Sequence, residues 1–270
     1  MRSTGYWRDD VFETVKELFA YKSMLRSLVR REVRGRYKGS LLGFLWNFIT
    51  PLMQIVVYVM VFSMIFRIDI DNYAIYIIVG MVPWIFLSES LVSGSGTIVE
   101  NSQMVTKIYF PRAVLPISNV LSKLVNYLIS LVIVFIIIIC SQYPLDPVVL
   151  LMLPVVMVLF FFAVIGATML LAAINTYYRD VQYITNVIMM VLIWLSPIMY
   201  MRSMSDNAIM SFILDINPVT YYIEAFQSIF YWGEFPDPMT MLVCTLFTVF
   251  ILVVGWVVFY RLEKDFAEVL

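Results

Sequence analysis

Long apolar runs alternate with short polar connections over most of the chain. Six runs are long enough to cross a bilayer, at 43–66, 73–93, 114–140, 148–174, 183–201 and 240–260. A helix needs about 20 residues at ~1.5 Å rise each to cover a ~30 Å hydrocarbon core. The third and fourth runs exceed that and are expected to tilt or to extend past the membrane. Pro51, Pro83, Pro116, Pro154 and Pro197 lie in or near the runs. Neighbouring helices repair such breaks, so kinks are expected there. The pattern predicts an all-α polytopic membrane protein with six transmembrane helices.

Three further stretches have helical periodicity without the length of a span. In residues 9–32, Val11, Val15, Leu18, Lys22, Leu25 and Val29 recur at steps of three and four. Asp9 or Asp10 caps the start, and Glu13 lies in the first turn. This N-terminal amphipathic helix suits a position flat at the bilayer interface, or one packed on another domain. In residues 96–112, Met104, Ile108 and Tyr109 share a face, Asn101 or Ser102 caps the start, and Pro111 stops the run. Such a short helix needs a surface to bury against. A soluble partner and the chain's own N-terminal helix both offer one.

The third stretch, 203–238, separates the last two spans. Ile209, Phe212 and Ile213 share one face, and Asn217-Pro218 reads as an N-cap with proline at the first helical position. Val219, Tyr222, Ile223, Phe226, Ile229 and Phe230 follow at helical spacing, and Gly233 ends the run. Neither half can span, so the stretch predicts a re-entrant helical hairpin or a pair of interfacial helices. The chain divides into a segment at 1–42, a transmembrane domain at 43–260 and a tail at 261–270.

Charge orients this architecture. Arg30, Arg31, Arg34, Arg36 and Lys38 crowd the entrance to the first run. With the N-terminus inside, nearly every Lys and Arg falls in 1–42, 94–113, 175–182 or 261–270. Arg67, Arg202 and the in-span Lys123 are the exceptions. The connections on the other side hold Asp69, Asp71, Asp146, Asp206, Asp215, Glu224, Glu234 and Asp237. The positive-inside bias therefore predicts cytoplasmic N- and C-termini. Residues 1–40 are too polar for a cleavable signal peptide.

Composition narrows the chemistry. The 270 residues are 62% hydrophobic and 14% charged, far from the balance of a soluble domain. A net charge of −1 gives no reason to expect nucleic acid. Histidine is absent, and with it the commonest general base and metal ligand. Cys140 and Cys244 sit singly inside apolar runs and read as buried small hydrophobes. There is no G-x-x-x-x-G-K-[ST] phosphate loop, no D-x-D and no internal repeat. Gly35, Gly39 and Gly43 are spaced by four, but only the last enters a span.

Ionisable groups at membrane depth are functional suspects. Glu89, Lys123 and Glu224 are such groups, and none is spaced as a proton relay; the residues read as structural pairs. Tyr58, Tyr73, Tyr76, Trp84, Trp194, Tyr200, Tyr221, Tyr222, Tyr231 and Trp232 fall near span ends or in 203–238. An aromatic belt accounts for most of them. Aromatic platforms also suit sugar faces.

Several segments together resemble one family. They are R-G-R-Y-K-G-S-L-L-G-F-L-W-N-F-I-T-P, V-P-W-I-F-L-S-E-S, E-N-S-Q-M-V-T-K-I-Y-F-P-R-A-V-L-P, N-T-Y-Y-R-D-V, S-P-I-M-Y and I-N-P-V-T-Y-Y-I-E-A-F. They are similar, in this order, to the membrane (permease) subunit of polysaccharide-exporting ABC transporters, which move O-antigen, capsular polysaccharide or teichoic acid on a lipid carrier. The resemblance implies a transport subunit that is not an enzyme, in a bacterial plasma membrane. It implies a homodimer with two copies of a P-loop ATPase subunit, a lipid-linked glycan as substrate and membrane lipids around it. No cofactor is expected in this chain; ATP and Mg would be bound by the partner.

The same resemblance assigns sites. Asn101, Gln103, Met104, Lys107, Ile108, Tyr109, Phe110 and Arg112, in a coupling helix at 101–112, would meet the ATPase. Arg30, Arg31, Arg34, Arg36 and Lys38 would lie where the carrier's pyrophosphate approaches, through charge-assisted contacts; topology alone also accounts for these cations. Tyr221, Tyr222, Phe226, Tyr231 and Trp232 belong to an outer gate hairpin at 206–232. An ABC exporter of drugs or simple lipids is the nearer alternative. A membrane enzyme acting on lipid-linked sugars is the other, and the missing acidic and histidine clusters count against it.

Overall fold

The computed structural model describes residues 20–35, 45–64, 70–204 and 207–270. Among these the chain is helical, with no strand. In chain order the helices are α1 (Lys22–Gly35), α2 (Trp46–Met64), α3 (Tyr73–Ser95), α4 (Thr97–Glu100), α5 (Ser102–Lys107) and α6 (Val114–Cys140). There follow α7 (Leu153–Tyr177), α8 (Asp180–Leu192), α9 (Ala208–Ile216), α10 (Pro218–Gln227), α11 (Pro238–Leu262) and α12 (Phe266–Val269).

Four helical stretches are long and apolar enough to cross a membrane: Tyr73–Ser95, Val114–Cys140, Val149–Tyr177 and Pro238–Val269. They match the second, third, fourth and sixth expected spans. A short 3-10 turn, Val149–Met152, leads into α7. In the first expected span the structure gives α2, with an apolar stretch at Leu52–Phe62.

α3 is apolar all round and is the buried centre, packed by α2, α6, α7, α8 and α10. α6 and α11 bury one face and leave Val132, Ile136 and Ile139, and Leu246, Val249 and Phe250, exposed. Broad apolar faces of this kind are stable in lipid. α7 and α11 approach backbone to backbone: a Cβ built on Gly255 would lie 2.0 Å from the Gly166 carbonyl oxygen. Small residues permit such closeness between membrane helices. By contrast Gly35 has open space around its Cβ position, and Gly39 and Gly43 lie outside the described residues.

The fifth expected span, 183–201, is not one continuous helix. Its helix starts at Asp180 and stops at Leu192, after 13 residues, or ~20 Å. Pro197 has no N–H, and its ring would clash with the carbonyl of Ile193 in a continuing helix. The backbone beyond Leu192 is irregular, and distant side chains satisfy its carbonyls. Asn217 Nδ2 donates to Leu195 O at 3.0 Å, and Gln227 Nε2 donates to Pro197 O at 2.8 Å. The hydroxyl of Tyr76 donates to Tyr200 O at 2.9 Å, and that of Tyr73 to Met199 O at 2.6 Å.

This network also corrects the aromatic belt. Tyr73, Tyr76, Trp84, Tyr222 and Tyr231 are buried inside the chain. A buried phenol needs a partner, and broken backbone supplies one.

Candidate functional site at the α1–α5 end

α1, α4, α5, the start of α6 and the chain's last turns gather at one end of the bundle. α1 lays Met24, Leu25 and the buried Leu28 against the core and packs along α6. It runs three residues past the expected end at Glu32, and the expected caps Asp9 and Asp10 lie outside the described residues. Arg30, Arg31 and Arg34 are exposed on it. Arg36 and Lys38 lie outside the described residues.

Three polar contacts fasten α1. Arg31 Nη2 donates to Asn101 Oδ1 at 3.0 Å, and Asn101 Nδ2 donates to Thr97 O at 2.8 Å. Asn101 thus closes α4 and receives α1 at once. At the next residue of α1, Asn119 Nδ2 donates to Glu32 Oε1 at 3.0 Å. Lys123, 3% exposed, holds Glu32 at 3.9 Å and Glu89 at 3.5 Å. A buried ammonium demands such partners, and the structural-pair reading of Lys123 and Glu89 is what the structure contains. Sequence reasoning missed Glu32 and Asn119. Their signal is weak, since each lies on a different helix from Lys123 or a turn before it.

The expected helix at 101–112 is shorter than its pattern suggested. Helix α5 ends at Lys107, Ile108 is extended (φ −127°, ψ 134°), and the chain turns through Pro111. The residue before a proline is driven out of the helical region. Val105 and Phe110 are buried, and Met104 packs against the core. Gln103 and Lys107 are exposed, Ile108 is open, and Tyr109 is 90% exposed. Arg112 Nη1 donates to Glu263 O and joins this segment to the end of α11. Phe266 of α12 packs on Tyr177 and Phe259 beneath it. The loop is therefore anchored at both ends, with Lys107, Ile108 and Tyr109 presented outward.

The opposite end holds α9 and α10. Asn217 Oδ1 accepts from Val219 N at 3.0 Å, so Asn217 is the N-cap and Pro218 the first residue of α10, as the sequence indicated. α10 continues into a wider π-helical turn, Ser228–Trp232, and ends at Gly233 with φ +63°. Tyr222 donates to Cys244 O at 2.8 Å, and Tyr231 to Asp71 O at 2.6 Å. Phe226 packs on Tyr127 and Phe160. Of the expected gate aromatics, Tyr221 and Trp232 reach the surface.

Arg202 bridges Asp215 and Glu224 and stacks over Tyr221 at 5.7 Å. Burial raises the Glu224 carboxyl above its ordinary range, and Arg202 beside it opposes that shift. Burial likewise pushes the Tyr231 phenol up to about 12, with Tyr143 and Asp71 adding to it. Sequence reasoning left Arg202 as an exception to the charge rule; its position among acidic residues was the signal of a pair.

Long apolar helices around a buried centre define an integral, polytopic α-helical membrane protein. The polar fastening at one end leaves a short segment standing out for contact. The chain belongs to the ABC-2 type transporter family, whose model matches residues 24–231. It is similar to the O-antigen export system permease protein RfbA of Myxococcus xanthus, with 34% identity over 204 residues covering 75% of this chain and 78% of the relative. A Klebsiella pneumoniae protein of the same name is 27% identical over 212 residues, covering 76% and 78%.

Proposed function

We propose that the chain is the permease subunit of an ABC transporter that exports a lipid-linked polysaccharide across a bacterial plasma membrane. The observation that carries this reading is the similarity to two O-antigen export permeases over three quarters of the chain. O-antigen, capsule and teichoic acid are the polymer classes in view. A separate P-loop ATPase supplies the energy, as membership of the ABC-2 type transporter family suggests. Two copies of the chain and two ATPase subunits make the transporter.

In this reading α1 lies at the cytoplasmic interface, both termini are cytoplasmic, and six segments traverse the bilayer with 206–232 re-entering from outside. The charge bias supports the orientation. Carbonyls satisfied by buried side chains along 195–200 support irregular backbone at membrane depth. The ATPase meets Lys107, Ile108 and Tyr109, and its movement reaches α1 through Asn101 and Arg31. The carrier's pyrophosphate approaches Arg30, Arg31 and Arg34. Any glycan contact from the outer hairpin falls to Tyr221 and Trp232.

Depletion of the chain in growing cells tests this. Lipid-linked polymer is expected to accumulate inside, with loss of surface polymer. Unchanged surface polymer, or loss without internal accumulation, rejects export as the function.

A further inference from the structure

Helix α5 alone cannot fix the exposed tip at Lys107, Ile108 and Tyr109. It has six residues and ends at Lys107, and so short a helix is not stable by itself. What lies beneath it comes from the far end of the chain. A 3-10 turn at Glu263–Asp265 carries α11 into α12, and α12 lies against both α5 and α7. Phe266 is the peg of this arrangement. It is fully buried and meets Phe259 of α11 edge-on at 5.5 Å and Tyr177 of α7 at 6.2 Å. Two side chains fasten the same place. The Tyr177 hydroxyl donates to Leu262 O at 3.1 Å, and Arg112 Nη1 donates to Glu263 O.

The seat of α12 is rigid. α7 and α11 touch backbone to backbone at Gly166 and Gly255, and Thr248 Oγ1 of α11 donates to Leu159 O of α7 at 3.1 Å. Helices packed this closely shift as one body. Farther along α11, Cys244 O accepts from the Tyr222 hydroxyl at 2.8 Å, which ties the pair to α10 at the opposite end. The end of α5 therefore has a continuous packed route to α10 that does not pass through α1. Displacement travels through packed side chains and hydrogen bonds between rigid elements of this kind.

We infer that α12 is a positioning wedge for the coupling tip. Phe266 and Arg112 hold Lys107, Ile108 and Tyr109 at a fixed height and pass their displacement to the α7–α11 pair. Arg112 then acts inside the chain rather than on the ATPase. The inference rests on the reading that an ATPase meets this tip. It adds a second attachment, separate from the Arg31–Asn101 contact at the start of the segment.

The test uses the full chain with its ATPase in proteoliposomes. The probe is lipid-linked polymer extracted from the same cells. Polymer moved per ATP hydrolysed is measured beside the kcat and KM of hydrolysis without polymer. Phe266→Ala is expected to lower polymer moved per ATP by roughly tenfold. Arg112→Gln is expected to lower it roughly fivefold, as loss of one useful hydrogen bond does. In both, the basal kcat and the KM for ATP are expected to stay as in wild type. Phe266→Leu keeps apolar bulk on the peg and is expected to restore most of the coupling. Ile138→Ala empties an equally buried position at the far end of α6. It is expected to lower the melting temperature and leave polymer per ATP unchanged.

Wild-type coupling in Arg112→Gln overturns the proposal, and that variant decides alone if Phe266→Ala does not fold. A loss in Ile138→Ala equal to that in Phe266→Ala overturns it too, because Phe266 would then serve stability in general. Loss of the ATPase from either variant complex also overturns it, because these residues would then belong to docking. A wild-type complex that hydrolyses ATP and moves no polymer overturns the export reading as well. A coupled wild type with coupled variants overturns the wedge alone.

Discussion

Arg31 on α1 donates a 3.0 Å hydrogen bond to Asn101, at the break between α4 and α5, seventy positions along the chain. The contact joins α1 to the segment proposed to meet the ATPase. A side-chain bond to a charged group, partly exposed, contributes about 1 kcal/mol, or roughly a fivefold change in the docked population. Arg31→Gln and Asn101→Ala are each expected to lower surface polymer several-fold with the ATPase still bound. The double variant is expected to lose little more than either single one, because both remove the same contact. Additive losses would show that the two residues act independently.

The exposed tip of the same segment gives a second prediction. Tyr109 and Lys107 bury nothing in this chain, so Tyr109→Ala and Lys107→Glu should change stability by less than about 0.5 kcal/mol. Transport is nevertheless expected to fall, with ATP hydrolysis no longer stimulated by substrate. Full transport with normal ATPase binding in both variants would remove this surface from the coupling path.

The long spans were legible because each is a long, largely apolar run bounded by polar segments. Val114–Cys140 matches its expected limits residue for residue. The helix expected over 183–201 breaks for a physical reason. Its run is largely apolar, yet Pro197 ends helicity, and the repair comes from Tyr73, Tyr76, Asn217 and Gln227. None of those donors lies near Pro197 in sequence, so a local pattern cannot reveal them. The aromatic residues misled in the same way: hydroxyls at span ends suit a lipid interface as well as they suit a broken backbone. In the candidate site, periodicity put Ile108 and Tyr109 on one face with Met104, but the helix ends at Lys107, so Met104 packs on the core while Ile108 and Tyr109 stand outward. The fastening by Arg31, Glu32 and Asn119 depends on how α1 meets α6, which no single segment encodes.

Glu224 offers a pH test whose sign is fixed by its surroundings. Burial favours the protonated carboxyl, so the folded chain holds this proton more tightly than the unfolded chain does. That contribution is complete below the ordinary carboxylate range and is lost as pH rises through the raised value. Arg202 cannot cancel the effect fully, because Asp215 shares it. Glu224→Gln is expected to remove this loss, so the melting temperature of wild type should fall relative to the variant as pH rises above the ordinary carboxylate range. A wild type that gains on the variant over that interval would mean that Arg202 outweighs burial.

The closest helix contact makes the firmest stability prediction. A Cβ on Gly255 would stand 2.0 Å from the Gly166 carbonyl oxygen and 2.8 Å from its carbon. A Cβ on Gly166 would meet Ile251 O and Leu252 Cα, each at 2.6 Å. These obstacles are backbone and cannot swing aside, so α7 and α11 would have to separate. Separation would stretch the bond from Thr248 Oγ1 to Leu159 O, now 3.1 Å, which crosses between the same two helices. Overpacking of this kind costs about 1–3 kcal/mol or more. Gly255→Ala and Gly166→Ala are therefore expected to lower the melting temperature and the yield of folded protein. Gly35→Ala is the control for open space: it ends α1, and its Cβ meets nothing within 4 Å. If Gly255→Ala were as stable as Gly35→Ala, α7 and α11 would not be in backbone contact, and the packing of the last span would have to be redrawn.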